Sequence, residues 1–185
     1  MTEHPVYRAA VLCPGPSLVE TYAPREGEFQ LVIGVNRAVG RFRCHSWVML
    51  DARTFRLVVP VGQPVIVASR AVYKLACASN PDAVRHAFLA HRPGLVPTDE
   101  VRWNAFGSTT AIELAARLGA RQIDVFGMDM AGDKDFDGYC DDRQDRTTER
   151  WAREGRTVQE LFAALAKRGV SCHRYTAGSK QEVSA

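Results

Sequence analysis

The stretch Ala9-Ala10-Val11-Leu12-Cys13-Pro14-Gly15-Pro16-Ser17-Leu18 joins an unbroken apolar run to a turn. Two prolines and a glycine end the run, because proline removes a backbone donor and neither residue favours a strand interior. A run of about five apolar residues without alternation suits a strand covered on both faces. Similar runs recur at 31–35, 46–50, 65–68, 123–126 and 170–175. Polar residues follow three of them: Asn36 after the second, Asp51 after the third and Asp129 shortly after 123–126. Helical spacing separates the later runs. Ala111, Leu114, Ala115 and Leu118 fall at i, i+3, i+4 and i+7 before Gly119, with Thr110 and Glu113 spaced as a capping box. Val158, Leu161, Phe162 and Leu165 repeat that spacing on a helix predicted over 148–167, before Gly169. A helix is also expected near 86–91 and a loop at 93–97. Strands alternating with helices define a three-layer α/β domain with a mostly parallel sheet. The expected organisation is one domain over 1–176 and a mobile tail over 177–185.

The chain has 185 residues and a net charge of +3. One domain of that size buries roughly two thirds of its unfolded surface. The charge divides unevenly. Between Asp129 and Asp145 stand seven aspartates against Lys134 and Arg143, so this window carries −5 and the rest carries +8. A modestly basic body suits nucleotide or sugar-phosphate ligands better than duplex DNA. No apolar run approaches the roughly 18 residues of a membrane span, and the first residues do not form a signal peptide. Five widely spaced cysteines fit reduced thiols and a cytoplasmic location better than a disulfide framework.

In a parallel sheet, ligands bind outside the carboxyl ends of the strands. There Gly15, Pro16 and Ser17 offer a close backbone approach and a hydroxyl to a phosphate. Gly107, Ser108 and Thr109 open the second predicted helix and form another candidate anion seat, or simply cap it. Asn36 and Asp51 are rim residues able to meet a nucleotide or to turn the chain. Asp51 and Asp129 are the candidate catalytic carboxylates. Asp133, Asp135 and Asp137 begin like a calcium loop, but position twelve is Gln144 where a bidentate Glu is needed. A looser site for Mg²⁺ or another divalent ion, a solvated acidic loop, and a lid over the pocket remain alternatives. Tyr139 is the aromatic expected nearest a ligand, whereas Trp47, Trp103 and Trp151 read as packing residues. No GxSxG, HExxH or Ser-His-Asp pattern is present.

Taken in order, the Gly15-Pro16-Ser17-Leu18 turn, Gly34-Val35-Asn36, Asp51, Gly107-Ser108-Thr109-Thr110-Ala111 and Gly127-Met128-Asp129 resemble a superfamily of Rossmann-like nucleotide-using transferases. It includes bacterial sialyltransferases and the 6-hydroxymethylpterin diphosphokinase-like proteins with their flagellin-associated glycosyltransferase relatives. The resemblance implies a nucleotide or nucleotide-sugar ligand. Gly15, Pro16 and Ser17 would lie on its phosphates, Asn36 and Asp51 on the nucleotide, Gly107 and Ser108 across the pocket, and Asp129 at the transferred group. Two departures stand out. Pro14 occupies the position of an asparagine in the sialyltransferase turn, and the segment 147–153 lacks the histidine those enzymes use as a base. The resemblance therefore leaves open a glycosyltransferase with an unknown acceptor, a Mg-dependent diphosphokinase-like enzyme, or a binding module without chemistry.

Overall fold

The computed structural model describes residues 7–79, 88–89, 106–140 and 146–182. In chain order its elements are β1 (Arg8–Leu12), α1 (Leu18–Tyr22), β2 (Leu31–Val35), β3 (Ser46–Met49), α2 (Ala52–Phe55), β4 (Val65–Ala68), α3 (Arg70–Ser79), β5 (Phe88–Leu89), α4 (Gly107–Arg117), β6 (Gln122–Phe126), α5 (Thr148–Ala166), β7 (Ser171–Thr176) and β8 (Ser179–Glu182). The sheet order is β5-β4-β3-β2-β1-β6-β7-β8. Every neighbouring pair is parallel except β7 with β8. This is the expected Rossmann-like α/β architecture.

β1 lies at the centre because its residues are apolar on both faces. Ala9 and Val11 join one core with Ala111, Ile112 and Ala115 of α4 and Val158, Leu161, Phe162 and Leu165 of α5. Ala10 and Leu12 join the other with Leu18 and Tyr22 of α1 and Val72 of α3. That second core is aromatic, with the Tyr22 ring edge-on to Phe42 at 4.9 Å and to Phe126 at 5.2 Å. The chain leaves β1 towards β5 on one side and returns to β6 on the other. The order therefore reverses between β1 and β6, which opens a crevice at their carboxyl ends.

A buried ionic cluster ties β1, β6 and β7 together. Asp124 of β6 is fully buried and accepts from Arg8 Nη2 at 2.9 Å and Gln122 Nε2 at 3.2 Å. His173 Nδ1 lies 2.9 Å from its other oxygen. Arg25 approaches to 3.9 Å while lying over the Tyr175 ring at 4.7 Å.

Several expectations are corrected. The inward stripe of α4 is Ala111, Ile112 and Ala115; Leu118 is half exposed because the helix ends there. The capping box does not form. Phe106 is the N-cap, and Glu113 accepts instead from Arg117 Nε at 2.9 Å. Of the segment expected to be helical near 86–91, residues 88–89 pair with β4 as a strand, and the rest lies outside the described residues together with 93–97 and Trp103. In the segment read as a tail, Ser179–Glu182 folds back on β7 through a turn at Gly178.

Candidate functional site

A cleft of about 300 Å³ opens at the carboxyl edge of β1, β2, β3 and β6. Its floor is the turn after β1. Cys13 N–H donates to Phe126 O at 2.8 Å and Gly15 N–H to Gly127 O at 2.9 Å, so this turn is bonded along its backbone to the turn after β6. The two turns touch so closely that only glycine fits at either position. A Cβ on Gly15 would strike the Gly127 carbonyl and Asp129 Oδ2, and one on Gly127 would strike the Cys13 carbonyl and Leu18. Gly127 also has a φ of 65°.

Seven residues singled out in the sequence line the cleft: Gly15, Pro16, Asn36, Asp51, Gly107, Ser108 and Asp135. Ser17, Thr109, Asp129, Asp133 and Asp137 do not appear among its walls. The reasons are local. Ser17 and Asp129, 112 residues apart, bond each other: Ser17 N–H donates to Oδ2 at 2.9 Å and Ser17 Oγ to Oδ1 at 2.6 Å. Asp129 thus uses both oxygens to hold the turn after β1, and the Ser17 hydroxyl is turned away from an expected phosphate. Thr109 is fully buried and its hydroxyl donates to Phe106 O at 3.0 Å. Asp51 caps α2, accepting from Arg53 N–H at 2.8 Å and Thr54 Oγ1 at 3.0 Å. Asn36 takes a left-handed φ of 50°, and its carbonyl accepts from Trp47 Nε1 at 2.9 Å.

The described part of the acidic segment lies against this floor. Phe136 N–H donates to Pro14 O at 2.8 Å. Asp135, 7 % exposed, accepts from Arg146 Nη2 at 2.8 Å and lies 3.8 Å from Arg37 Nε. Burial pushes the Asp135 carboxyl above its ordinary value, and the Arg146 guanidinium offsets this only in part. Asp137 is paired with Arg37; burial, the largest single influence, opposes its ionisation, but the Arg37 guanidinium and backbone N–H groups including that of Tyr139 together hold the carboxyl below its usual value. Tyr139 supports Arg37, which sits 4.2 Å over its ring, and is not a wall residue. Asp135 and Asp137 therefore face cations of the protein itself, and this donor set does not fit a divalent ion. Among the described residues no group of three or more His, Cys, Asp or Glu side chains is placed to hold one.

Lys134, Arg146 and Arg150 supply positive charge to the walls, beside the apolar surfaces of Leu50, Phe106, Met128 and Trp151. Trp151, read from sequence as packing, is a wall residue. Glu154 carries no signal of a site in the sequence. It is 8 % exposed, lines the cleft and accepts from Ser108 Oγ at 2.6 Å. Arg150, Trp151 and Glu154 fall on one face of α5 by their i, i+1, i+4 spacing, but nothing marks that face as a site until α5 is docked beside α4. Cys13 is also in the wall. Burial, with the negative charges of Glu154 and Asp129, pushes its thiol well above its ordinary value, which leaves it unsuited to act as a nucleophile near neutral pH.

The cleft thus lies at the topological switch point of a Rossmann-like sheet, the place where open α/β sheets bind ligands. No family model matches the chain, and no curated protein matches it. Among solved structures the fold is similar to the sialyltransferase CstII from Campylobacter jejuni, determined in complex with a substrate analogue, CMP-3FNeuAc. The TM-score is 0.58 at 15% identity, covering 94% of this chain and 83% of that one. The likeness is one of fold. No described helix is long and apolar enough to cross a membrane.

Proposed function

We propose that the protein is a nucleotide-binding transferase of glycosyltransferase type, using a nucleotide-sugar donor and an acceptor not identified by the site. One observation carries this reading: a glycine turn at the β1/β6 switch point, bonded along its backbone to Gly127, floors a cleft walled by Lys134, Arg146 and Arg150. Phosphates laid on this floor would meet the cations of its walls, which offset their charge. The apolar surfaces of Phe106, Met128 and Trp151 suit the flat face of a base or sugar ring. The fold neighbour was solved with a CMP-sugar analogue, which supports the same ligand class.

A diphosphokinase-like activity would draw on Mg²⁺ held by the acidic segment, and the pairing of Asp135 and Asp137 with arginines disfavours it. Transfer of a sugar needs the leaving phosphate stabilised and the acceptor hydroxyl positioned, both within reach of side chains alone. Calorimetric titration with CMP, UDP, GDP and ATP, each with and without Mg²⁺, tests the reading. At least one nucleotide should bind with a Kd of about 1 mM or tighter, near −4 kcal/mol, and with similar affinity in both conditions. If all four failed to bind at that concentration, the proposal would fall.

A further inference from the structure

Four carboxylates stand in or beside the cleft, and their partners sort them. Both oxygens of Asp129 are taken by Ser17, and both oxygens of Asp51 by the start of α2. Asp135 is bonded to Arg146 and faces Arg37. Glu154 differs from all three. It is more than nine-tenths buried, it lines the cleft, and among the described residues it accepts from the neutral hydroxyl of Ser108, on Oε1. A carboxylate oxygen already accepting from a guanidinium, a hydroxyl or a backbone N–H has fewer lone pairs open to an incoming proton. A carboxylate bonded to one hydroxyl keeps lone pairs for a proton.

The position of Glu154 also revises the expected anion seat. Ser108 is the second residue of α4, and its hydroxyl bonds Glu154, so a negative charge of the protein already sits beside the positive end of that helix. A second anion there would meet repulsion. A hydroxyl group, which can donate, would not. Of the positive wall residues, Lys134 and Arg146 belong to the segment after β6, where Arg146 is bonded to Asp135, and Arg150 lies one turn before Glu154 on α5. The cleft therefore carries cations suited to phosphate and, on α5, a carboxylate suited to a donor.

We propose that Glu154 is the proton acceptor of the transfer step, an assignment that rests on the nucleotide-sugar reading above. The acceptor's hydroxyl oxygen attacks the anomeric carbon of the donor sugar. The bond from that carbon to the phosphate oxygen breaks, and its electron pair leaves with the nucleotide. The hydroxyl proton passes to a Glu154 carboxylate oxygen and then to solvent. Ser108 is a positioning residue, fixing the rotamer of Glu154 through its 2.6 Å hydrogen bond. Water can replace the acceptor, which makes donor hydrolysis a usable probe.

The test compares wild type with Glu154→Gln and Glu154→Ala, using the CMP-, UDP- or GDP-sugar whose nucleotide binds. Glutamine keeps an oxygen for the Ser108 hydroxyl, so melting temperature and nucleotide Kd should stay close to wild type, within about two-fold in Kd. Hydrolysis should fall by about 100-fold or more, the range general-base removal spans. Added formate should restore part of the rate to Glu154→Ala, an effect that a purely structural role would not produce. Near-wild-type hydrolysis by Glu154→Gln would overturn the assignment while leaving the transferase reading intact. So would a wild-type protein that binds nucleotide but cleaves none of the three sugar nucleotides. If the wild type bound no nucleotide, the functional reading itself would fail, and this inference with it.

Discussion

Replacing Gly127 with alanine is expected to lower stability by about 3 kcal/mol and to abolish nucleotide binding. Two costs combine. The backbone has a φ of 65°, where an L side chain is strained by roughly 1 kcal/mol. The new methyl would also strike the Cys13 carbonyl and the body of Leu18, and both are held in place: Cys13 by its bond to Phe126, Leu18 by burial in the aromatic core. Overpacking of this kind costs about 1–3 kcal/mol. Relief requires the turns after β1 and β6 to part, which breaks the Gly15–Gly127 bond and moves the cleft floor. Gly132 supplies the control. It has a similar φ of 74° but nothing within 4 Å of a built Cβ, so its alanine variant should lose only the strain, about 1 kcal/mol, and keep its ligand. Urea denaturation beside calorimetric titration separates the two variants.

The second large effect lies away from the cleft. Asp124→Ala should cost about 3 kcal/mol, because removing one partner of a buried ionic cluster strands the others. Asp124 has no exposure, and Arg8, His173 and Gln122 all turn towards it. The arginine is partly exposed, at 28 %, so water recovers some of its charge and the loss stays near the lower end of the known range. For a chain of this length the melting temperature should fall by about 6–12 °C. Nucleotide affinity should be unchanged, since this cluster involves the amino-terminal residue of β1 while the cleft opens at the carboxyl end. A melting curve and a titration on the same sample check both halves.

These two residues show what the sequence could and could not reveal. The strands were legible because a sheet covered on both faces demands unbroken apolar runs, and β2 and β4 match the predicted bounds residue for residue. α5 was legible because Val158, Leu161, Phe162 and Leu165 carry large side chains at helical spacing. α3 carries smaller ones: Val72 and Ala76 are its buried residues, and its start is marked only by Ser69, whose Oγ accepts from Val72 N–H at 3.4 Å. Such a stripe is easily lost. The rim was legible for a different reason. Gly15, Asn36 and Asp51 follow strands directly, so parallel strands necessarily bring them to one edge.

What each rim side chain does there depends on partners distant in sequence. Ser17 and Asp129 both belong near the cleft, yet no spacing rule says that they satisfy each other. The acidic segment was likewise located but not explained. Its charge fits either a metal or a solvated loop until Arg146, just past the segment, and Arg37, about a hundred residues away, neutralise Asp135 and Asp137. Glu154 was missed because it sits mid-helix, where a glutamate normally reads as a solvated residue; only the approach of α4 buries it.

The central claim is that a nucleotide's phosphates rest on the Gly15 turn at the β1/β6 crevice. Its most direct test is amide NMR of isotope-labelled protein titrated with whichever nucleotide binds best. The account predicts that the amides of Gly15, Ser17, Gly107, Ser108 and Gly127 shift together along one saturation curve, while those of Asp124 and His173 stay fixed. Saturable shifts elsewhere, with these five amides unmoved, would contradict it.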